Sequence, residues 1–155
     1  MALQNLNKPK NYSILDSSSI TKLTLKLIKR GKKKQVLNLF KDILELLKTN
    51  NSTNTTFLTL IDNALINVMP FVQLKTVKKG ATSLQFPASL QSKQQLNIAM
   101  KWLITAAEKR NEKSFALKFF KEITEAANFQ GNAVQLKLEQ HKSALNQKRF
   151  LYFRK

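Results

Sequence analysis

The chain has 155 residues, 27 basic and 9 acidic, giving a formal charge of +18 and a pI near 10.3. That length accommodates one domain with a real core, and a charge so far beyond what solubility requires implies a polyanionic partner: RNA, DNA or an anionic membrane surface. The lack of cysteine and the single histidine exclude disulfide frameworks, thiol nucleophiles and zinc fingers, and no run approaches the roughly 18 apolar residues of a membrane span, so a soluble protein is expected.

Residues 1–15 carry Lys8-Pro9-Lys10 and no apolar period, which predicts an irregular basic arm ahead of one helical domain over 16–155. Asp16 and the serines up to Ser19 supply capping oxygens before Ile20, Leu23, Leu27 and Ile28, a first helix expected to end at Gly31. In Arg30-Gly31-Lys32-Lys33-Lys34 a glycine cap is followed by three lysines that open the next helix. Lysines there oppose the helix dipole by a few tenths of a kcal/mol or more unless an anion neutralises them. The joint is therefore either a solvated charge run or a phosphate site.

Val36, Leu39, Phe40, Ile43, Leu44 and Leu47 form the wide stripe of a second helix, and Phe57, Leu60, Ile61, Ala64, Leu65 and Val68 that of a third, which stops at Met69-Pro70. From Phe71 to Pro87 the period falls to two. Val72, Leu74 and Thr76 alternate with Gln73 and Lys75, and Leu84 and Phe86 with Ser83 and Gln85, so a β-hairpin is expected over 71–87 with its basic tip at Lys78 and Lys79. An isolated ribbon buries little, so it has to lean on the helices or on a partner, and reads as a probe more than a pillar.

The stretch from Gln94 to Phe129 organises the rest. Leu96, Ala99, Leu103 and Ala106 make one helical stripe and Phe115, Phe119, Ile123 and Ala126 a second, with the polar turn Lys109-Arg110-Asn111-Glu112-Lys113 between them as a cationic tip. Trp102 falls inside this apolar repeat and reads as core. Gln130-Gly131-Asn132 supplies a glycine to end the second of these helices, and a more polar last helix runs from Ala133 to about Phe150. The fold class is mainly α: a single domain of about six helices with one extended β-hairpin between the third and the fourth.

No catalytic constellation and no metal-ligand set emerge. His141 stands alone on a polar helix, Glu108, Glu112, Glu122 and Glu125 lie near lysines at spacings that read as surface ion pairs, and three scattered glycines cannot form a phosphate loop. The basic groups carry the chemistry. They fall on the arm (Lys8, Lys10), the first joint (Lys32, Lys33, Lys34), the hairpin (Lys75, Lys78, Lys79), the central helix and its tip (Lys93, Lys101, Lys109, Arg110, Lys113) and the C-terminus (Lys148, Arg149, Arg154, Lys155). Cations on several separate tips suit a folded RNA gripped through phosphates and shape, whereas a DNA reader concentrates them on one helix. A DNA-binding helical regulator is the alternative from another class.

Three segments carry a resemblance: KGATSLQFP (79–87), AMKWLITAAEKRNEKS (99–114) and EAANFQGNAV (125–134). In this order and spacing they resemble the universal small-subunit ribosomal protein seven family, over about residues 20–154. The resemblance implies helical domains with a hairpin between the third and fourth helices, binding to the 3′ major domain of small-subunit ribosomal RNA, a part in assembling the subunit head, and a hairpin that reaches the messenger exit and exit-site tRNA. By that likeness Lys75, Lys78 and Lys79 lie near messenger and tRNA, and Lys32, Lys33, Lys109, Arg110 and Lys113 touch ribosomal RNA. Neighbouring head and platform proteins are further expected partners; no cofactor, membrane or small-molecule substrate is.

The departures matter as well. Gln91, Gln94 and Gln95 stand where bacterial members carry arginines, with Lys93 kept nearby, and 134–139 is less basic than usual, which turns Leu136 and Leu138 toward a protein neighbour. Lysine far outnumbers arginine and Asn and Phe are frequent, a bias that resembles coding by an AT-rich genome such as an organelle's. The first residues are not Arg-rich like a transit peptide. A mitochondrial ribosome is therefore the expected location, with a plastid or the bacterial cytoplasm as alternatives.

Overall fold

The apolar stripes dictate an order of helices, and the computed structural model, which describes residues 18–50 and 57–153, reproduces it. Six helices, α1 (Ser18–Leu27), α2 (Lys33–Asn50), α3 (Phe57–Val68), α4 (Ser92–Glu108), α5 (Phe115–Ala127) and α6 (Asn132–Asn146), enclose a shared core. An antiparallel ribbon, β1 (Val72–Lys79) with β2 (Thr82–Ser89), lies between α3 and α4, and a 3₁₀ turn (Lys148–Phe153) follows α6. The arm with Lys8 and Lys10, and the terminal Arg154 and Lys155, lie outside the described residues.

Helix α5 is the hub, packing on α2, α3, α4 and α6. Its Phe119, Ile123 and Ala126 are buried with Leu103, Met100 and Ala106 of α4 and Ile61 and Leu65 of α3. Each such large apolar side chain contributes about 1.5–3 kcal/mol relative to exposure. Trp102 is half-buried against this core. Asn67 of α3 is buried because its amide has work to do: Nδ2 donates to the carbonyls of Ala126 and Ala127 at 3.0 and 2.9 Å, at the C-terminal end of α5, where the Ala126 carbonyl also accepts the Phe129 N–H.

Several boundaries shift for local reasons. Helix α1 ends at Leu27, before Gly31, because both Arg30 (φ 54°) and Gly31 (φ 73°) adopt the left-handed conformation and unwind the joint, so α2 opens at Lys33. At the end of α5 the left-handed residue is Phe129 (φ 59°) and not the glycine. Phe129 N–H donates to Ala126 O and Gln130 N–H to Glu125 O, a Schellman pair that holds an exposed phenylalanine in a conformation usually left to glycine. Gly131 (φ 93°) serves α6 instead, at its N-cap; a Cβ there would come within 3.1 Å of Glu122 Oε1.

The ribbon register corrects a simple picture of one apolar face. Val72 and Leu74 lie across from Ser89 and Pro87, while Leu84 and Phe86 lie across from Val77 and Lys75, so the two strands turn their apolar residues to opposite faces. The base is covered: β1 packs on α6, β2 on the 3₁₀ turn, and Phe86 and Ala88 are buried. Beyond that, residues such as Thr76, Val77, Lys78, Gly80 and Gln85 are exposed, and the strands run to Lys79 and Thr82, which moves the turn to Gly80-Ala81.

Candidate RNA-binding surface

Lys32, Lys33 and Lys34 emerge where the chain leaves the left-handed pair Arg30-Gly31, and all three are exposed at the start of α2. Helix α2 has no acidic residue in its first turn, so nothing local offsets the unfavourable pairing of lysines with the positive end of its dipole. Lys29 at the same joint reaches across to Glu108 at the end of α4, Nζ to Oε1 2.5 Å, and so fastens the joint beside the α4–α5 connection. With both partners exposed, that pair contributes little on its own.

On α4, Lys93 and Lys101 are exposed. Lys93 and Glu108 are fifteen residues apart, which at a helical rise of 1.5 Å per residue separates the two ends of this helix by roughly 23 Å. Lys109 and Lys113 at the far end are exposed as well, and Lys75 and Lys78 point from the hairpin. Because Lys75 pairs with Phe86 and Lys78 with Ser83, three residues apart along the strand, these two lysines lie on opposite faces of the ribbon. Lys148 and Arg149 are exposed at the 3₁₀ turn, where Arg149 sits 5.1 Å from the Phe150 ring.

Arg110 has a different setting from its basic neighbours. Its side chain is 11% exposed, and its Nε donates to Glu122 Oε2 at 2.6 Å while its two terminal nitrogens bond both oxygens of Glu125; Glu112 adds a looser contact at 3.7 Å. The Glu125 carboxylate, ahead of Glu122, holds the guanidinium proton even more firmly than usual, against the opposing effect of burial. An arginine so bound has its donors aimed inward. The structure thus gives Arg110 the part of a structural tie.

Glu122 is the surprise inside this tie: it is fully buried, and is not the surface ion-pair partner expected from its spacing. Its second oxygen accepts the Ala133 N–H at 2.8 Å, so one carboxylate anchors the α4–α5 connection and caps the start of α6. The sequence carried a signal for this, since Glu122 stands three residues after Phe119 and four before Ala126, squarely on the apolar stripe. A carboxylate on a buried stripe needs a buried cation, and Arg110 is the arginine in the adjoining turn. Glu112 meanwhile pairs with Lys121 at 3.4 Å.

His141 is drawn into the hairpin base. Its Nε2 accepts the Phe71 N–H at 3.3 Å, and burial, with Lys137 second, holds its pKa below the usual imidazole value. Lys137 itself donates to the Asn67 carbonyl at 2.7 Å and lies 5.7 Å from the Phe71 ring, burial again lowering its pKa. Gln140 Nε2 lies 3.5 Å from the Val72 carbonyl, and Gln147 bonds the Gln85 side chain at 3.1 Å. Helix α6 thus holds the ribbon by polar contacts. Among the described residues no group of His, Asp or Glu side chains is arranged to hold a metal ion, and no helix is long and apolar enough to cross a membrane.

Comparison with known proteins agrees with this arrangement. The model of the family described as ribosomal protein S7p/S5e matches residues 3–148. The chain is 34% identical over 136 residues to the small ribosomal subunit protein uS7 of Flavobacterium johnsoniae, covering 87% of this chain and 86% of that protein. It is likewise 34% identical over 153 residues to the protein of the same name from Azobacteroides pseudotrichonymphae, covering 95% and 97%, and 33% identical over 135 residues to that of Acidithiobacillus ferrooxidans, covering 87% and 85%. With a six-helix body, a hairpin between the third and fourth helices and a match over nearly the whole length, the chain belongs to the ribosomal protein S7p/S5e family.

Proposed function

We propose that this chain is a structural constituent of the small ribosomal subunit that binds the 3′ major domain of its ribosomal RNA and helps to assemble the head. The observation that carries this is the distribution of exposed cations: Lys32 to Lys34 at one joint, Lys93 and Lys101 along α4, Lys109 and Lys113 at its end, and Lys75 and Lys78 on two faces of a ribbon, all mounted on one packed body. Such spacing matches phosphates on a folded RNA and fits no single major groove. The role is binding and positioning, with no catalytic step. The hairpin, supported only at its base, is the part suited to reach messenger and exit-site tRNA.

The exposed Leu138 of α6, with Leu136 beside it in sequence, is a contact for a neighbouring small-subunit protein. The relatives named above are bacterial, which supports a ribosome of bacterial type. The lysine-rich, arginine-poor composition supports a mitochondrial ribosome as our reading of its location, to be checked by cosedimentation of the tagged chain with mitochondrial small subunits.

The decisive experiment is binding of the purified chain to the 3′ major domain RNA and to an unrelated structured RNA of equal length across a salt series. Selective binding with a log–log salt slope of several units is expected, since each neutralised phosphate adds just under one unit. Equal binding to both RNAs that vanishes at physiological salt would overturn the reading, and selective binding to duplex DNA would favour the helical regulator.

A further inference from the structure

Phe129, between α5 and α6, occupies a position where the fold has no use for a phenylalanine. It is 61% exposed and lies outside the core, and at φ 59° its Cβ is crowded against the backbone in a way that glycine avoids and asparagine tolerates. A conformation of this kind persists only where the surroundings hold it. Here the Phe129 N–H donates to Ala126 O at 3.2 Å, the Gln130 N–H to Glu125 O at 2.8 Å, and Asn67 of α3 braces the Ala126 carbonyl at 3.0 Å. The ring is thus carried on a rigid support at the surface.

The charge around it is equally unusual. Between Lys121 and Lys137 the sequence has two glutamates and no lysine or arginine, in a chain of net charge +18. Lys121 pairs with Glu112, Lys137 donates to the Asn67 carbonyl, Arg110 is tied to Glu122 and Glu125, and α3, which packs on α5, has no basic residue. The exposed neighbours Asn128, Gln130, Asn132 and Gln135 are polar and uncharged. An aromatic side chain with polar neighbours and no lysine has the composition of a protein interface, and it offers no cation to a phosphate.

We propose that Phe129 is the anchor of a protein contact, its ring inserted into an apolar pocket on a neighbouring basic protein of the small subunit. With its backbone already held in one conformation, the anchor loses little freedom on docking. A basic partner is repelled by most of this surface and not by this patch, where the partly exposed charge is the Glu125 carboxylate. A second copy of the chain would bring another protruding ring and not a pocket. The inference rests on the small-subunit reading above and adds to it the place, and the side chain, by which a protein neighbour is held.

The test places the photoreactive analogue benzoylphenylalanine at position 129 of the tagged full chain, isolates the small subunits that contain it, irradiates them and identifies the adducts by mass spectrometry. An adduct to one basic subunit protein is expected. That protein, purified, should bind Phe129→Asn about tenfold more weakly than the unaltered chain. The unfolding midpoint of the same variant should stay equal or rise, because asparagine tolerates the positive φ, and its binding to the 3′ major domain RNA should keep the same affinity and salt slope. In subunits that contain the chain, adducts to ribosomal RNA or to a second copy, or no adduct at all, would overturn the anchor and leave the ribosomal reading standing. A lowered midpoint in Phe129→Asn would overturn it as well, by marking Phe129 as a support of the fold. Absence of the chain from small subunits would overturn both readings.

Discussion

Two basic loops that look alike in the sequence, Lys109 to Lys113 and Lys75 to Lys79, have opposite construction. The α4–α5 connection carries Arg110 inward onto Glu122 and Glu125, and four of the nine acidic residues, Glu108, Glu112, Glu122 and Glu125, lie on or beside it. Lys75 and Lys78 of the hairpin make no ion pair with any described residue. Counting positive charges thus overstates what the first loop can offer an RNA. The chemistry of the side chains explains the division: a planar guanidinium can bond two carboxylates at once in a half-dry site, whereas lysine, better hydrated and more flexible, suits an exposed phosphate contact.

The sharpest way to break this contrast is Arg110→Ala. It leaves Glu122 buried without its cation, and removal of one partner from a buried pair costs about 3–5 kcal/mol. For a domain this size, chemical denaturation should show a large drop in midpoint or no cooperative transition at all. Lysine at the same position should rescue only part of the loss, since one ammonium cannot reproduce bonds to both Glu122 and Glu125. A variant as stable as the unaltered chain, with RNA binding reduced, would mean that Arg110 serves the ligand and not the fold.

Asn67→Ala is expected to cost about 1–3 kcal/mol by removing two hydrogen bonds from the end of α5, leaving the Ala126 carbonyl with the Phe129 N–H alone and the Ala127 carbonyl without its amide donor. This sharpens the comparison, because it damages the same end of α5 without touching a charge. If the two losses are additive, the arginine tie and the amide cap act independently; coupling would show that α5 and α6 are set by one network through Glu122.

How legible these regions were follows from what each depends on. Helix order, the hairpin and most of the core could be read, because burial of a periodic stripe is a local property of the sequence. Helix ends were misplaced where a residue other than glycine took the left-handed conformation, as Arg30 and Phe129 do, since neither carries a local mark of it. The pairing of Arg110 with Glu122 depends on a turn that brings residues twelve apart together, and was overlooked although Glu122 sat on the apolar stripe. The ribbon register was equally hidden: alternation was read within each strand, but which faces coincide is decided by the turn at Gly80-Ala81.

On the hairpin, the double change Lys75→Ala with Lys78→Ala should leave the unfolding midpoint within about 0.5 kcal/mol of the original, as exposed groups do. The salt slope of RNA binding should fall by up to two units if both lysines meet phosphates of the bound RNA fragment. If the ribbon instead reaches only messenger and tRNA, the slope on the isolated ribosomal RNA stays unchanged and the deficit shows in assembled subunits. Loss of stability in this variant would erase the distinction between a tied loop and a free one.

The smallest expected effect lies at the hinge between body and ribbon. His141 accepts the Phe71 N–H only when Nε2 is unprotonated, and its pKa is lowered in the folded chain, by burial first and by Lys137 second. Below the unfolded imidazole value, near 6.5, the unfolded chain binds more protons than the folded one, so this contribution is fully present above that pH and is lost as pH falls toward the folded pKa. One partly exposed hydrogen bond makes the loss about 1 kcal/mol or less. Hydrogen exchange should therefore show the Phe71 amide opening faster than expected from chemistry alone as the solution is acidified below about pH 6.5, while amides of α5 keep their protection. His141→Leu should abolish that pH dependence. If α5 loosened together with Phe71, the ribbon base would belong to the same cooperative unit as the helical body, and the hairpin would be a rigid extension of it instead of a separately hinged arm.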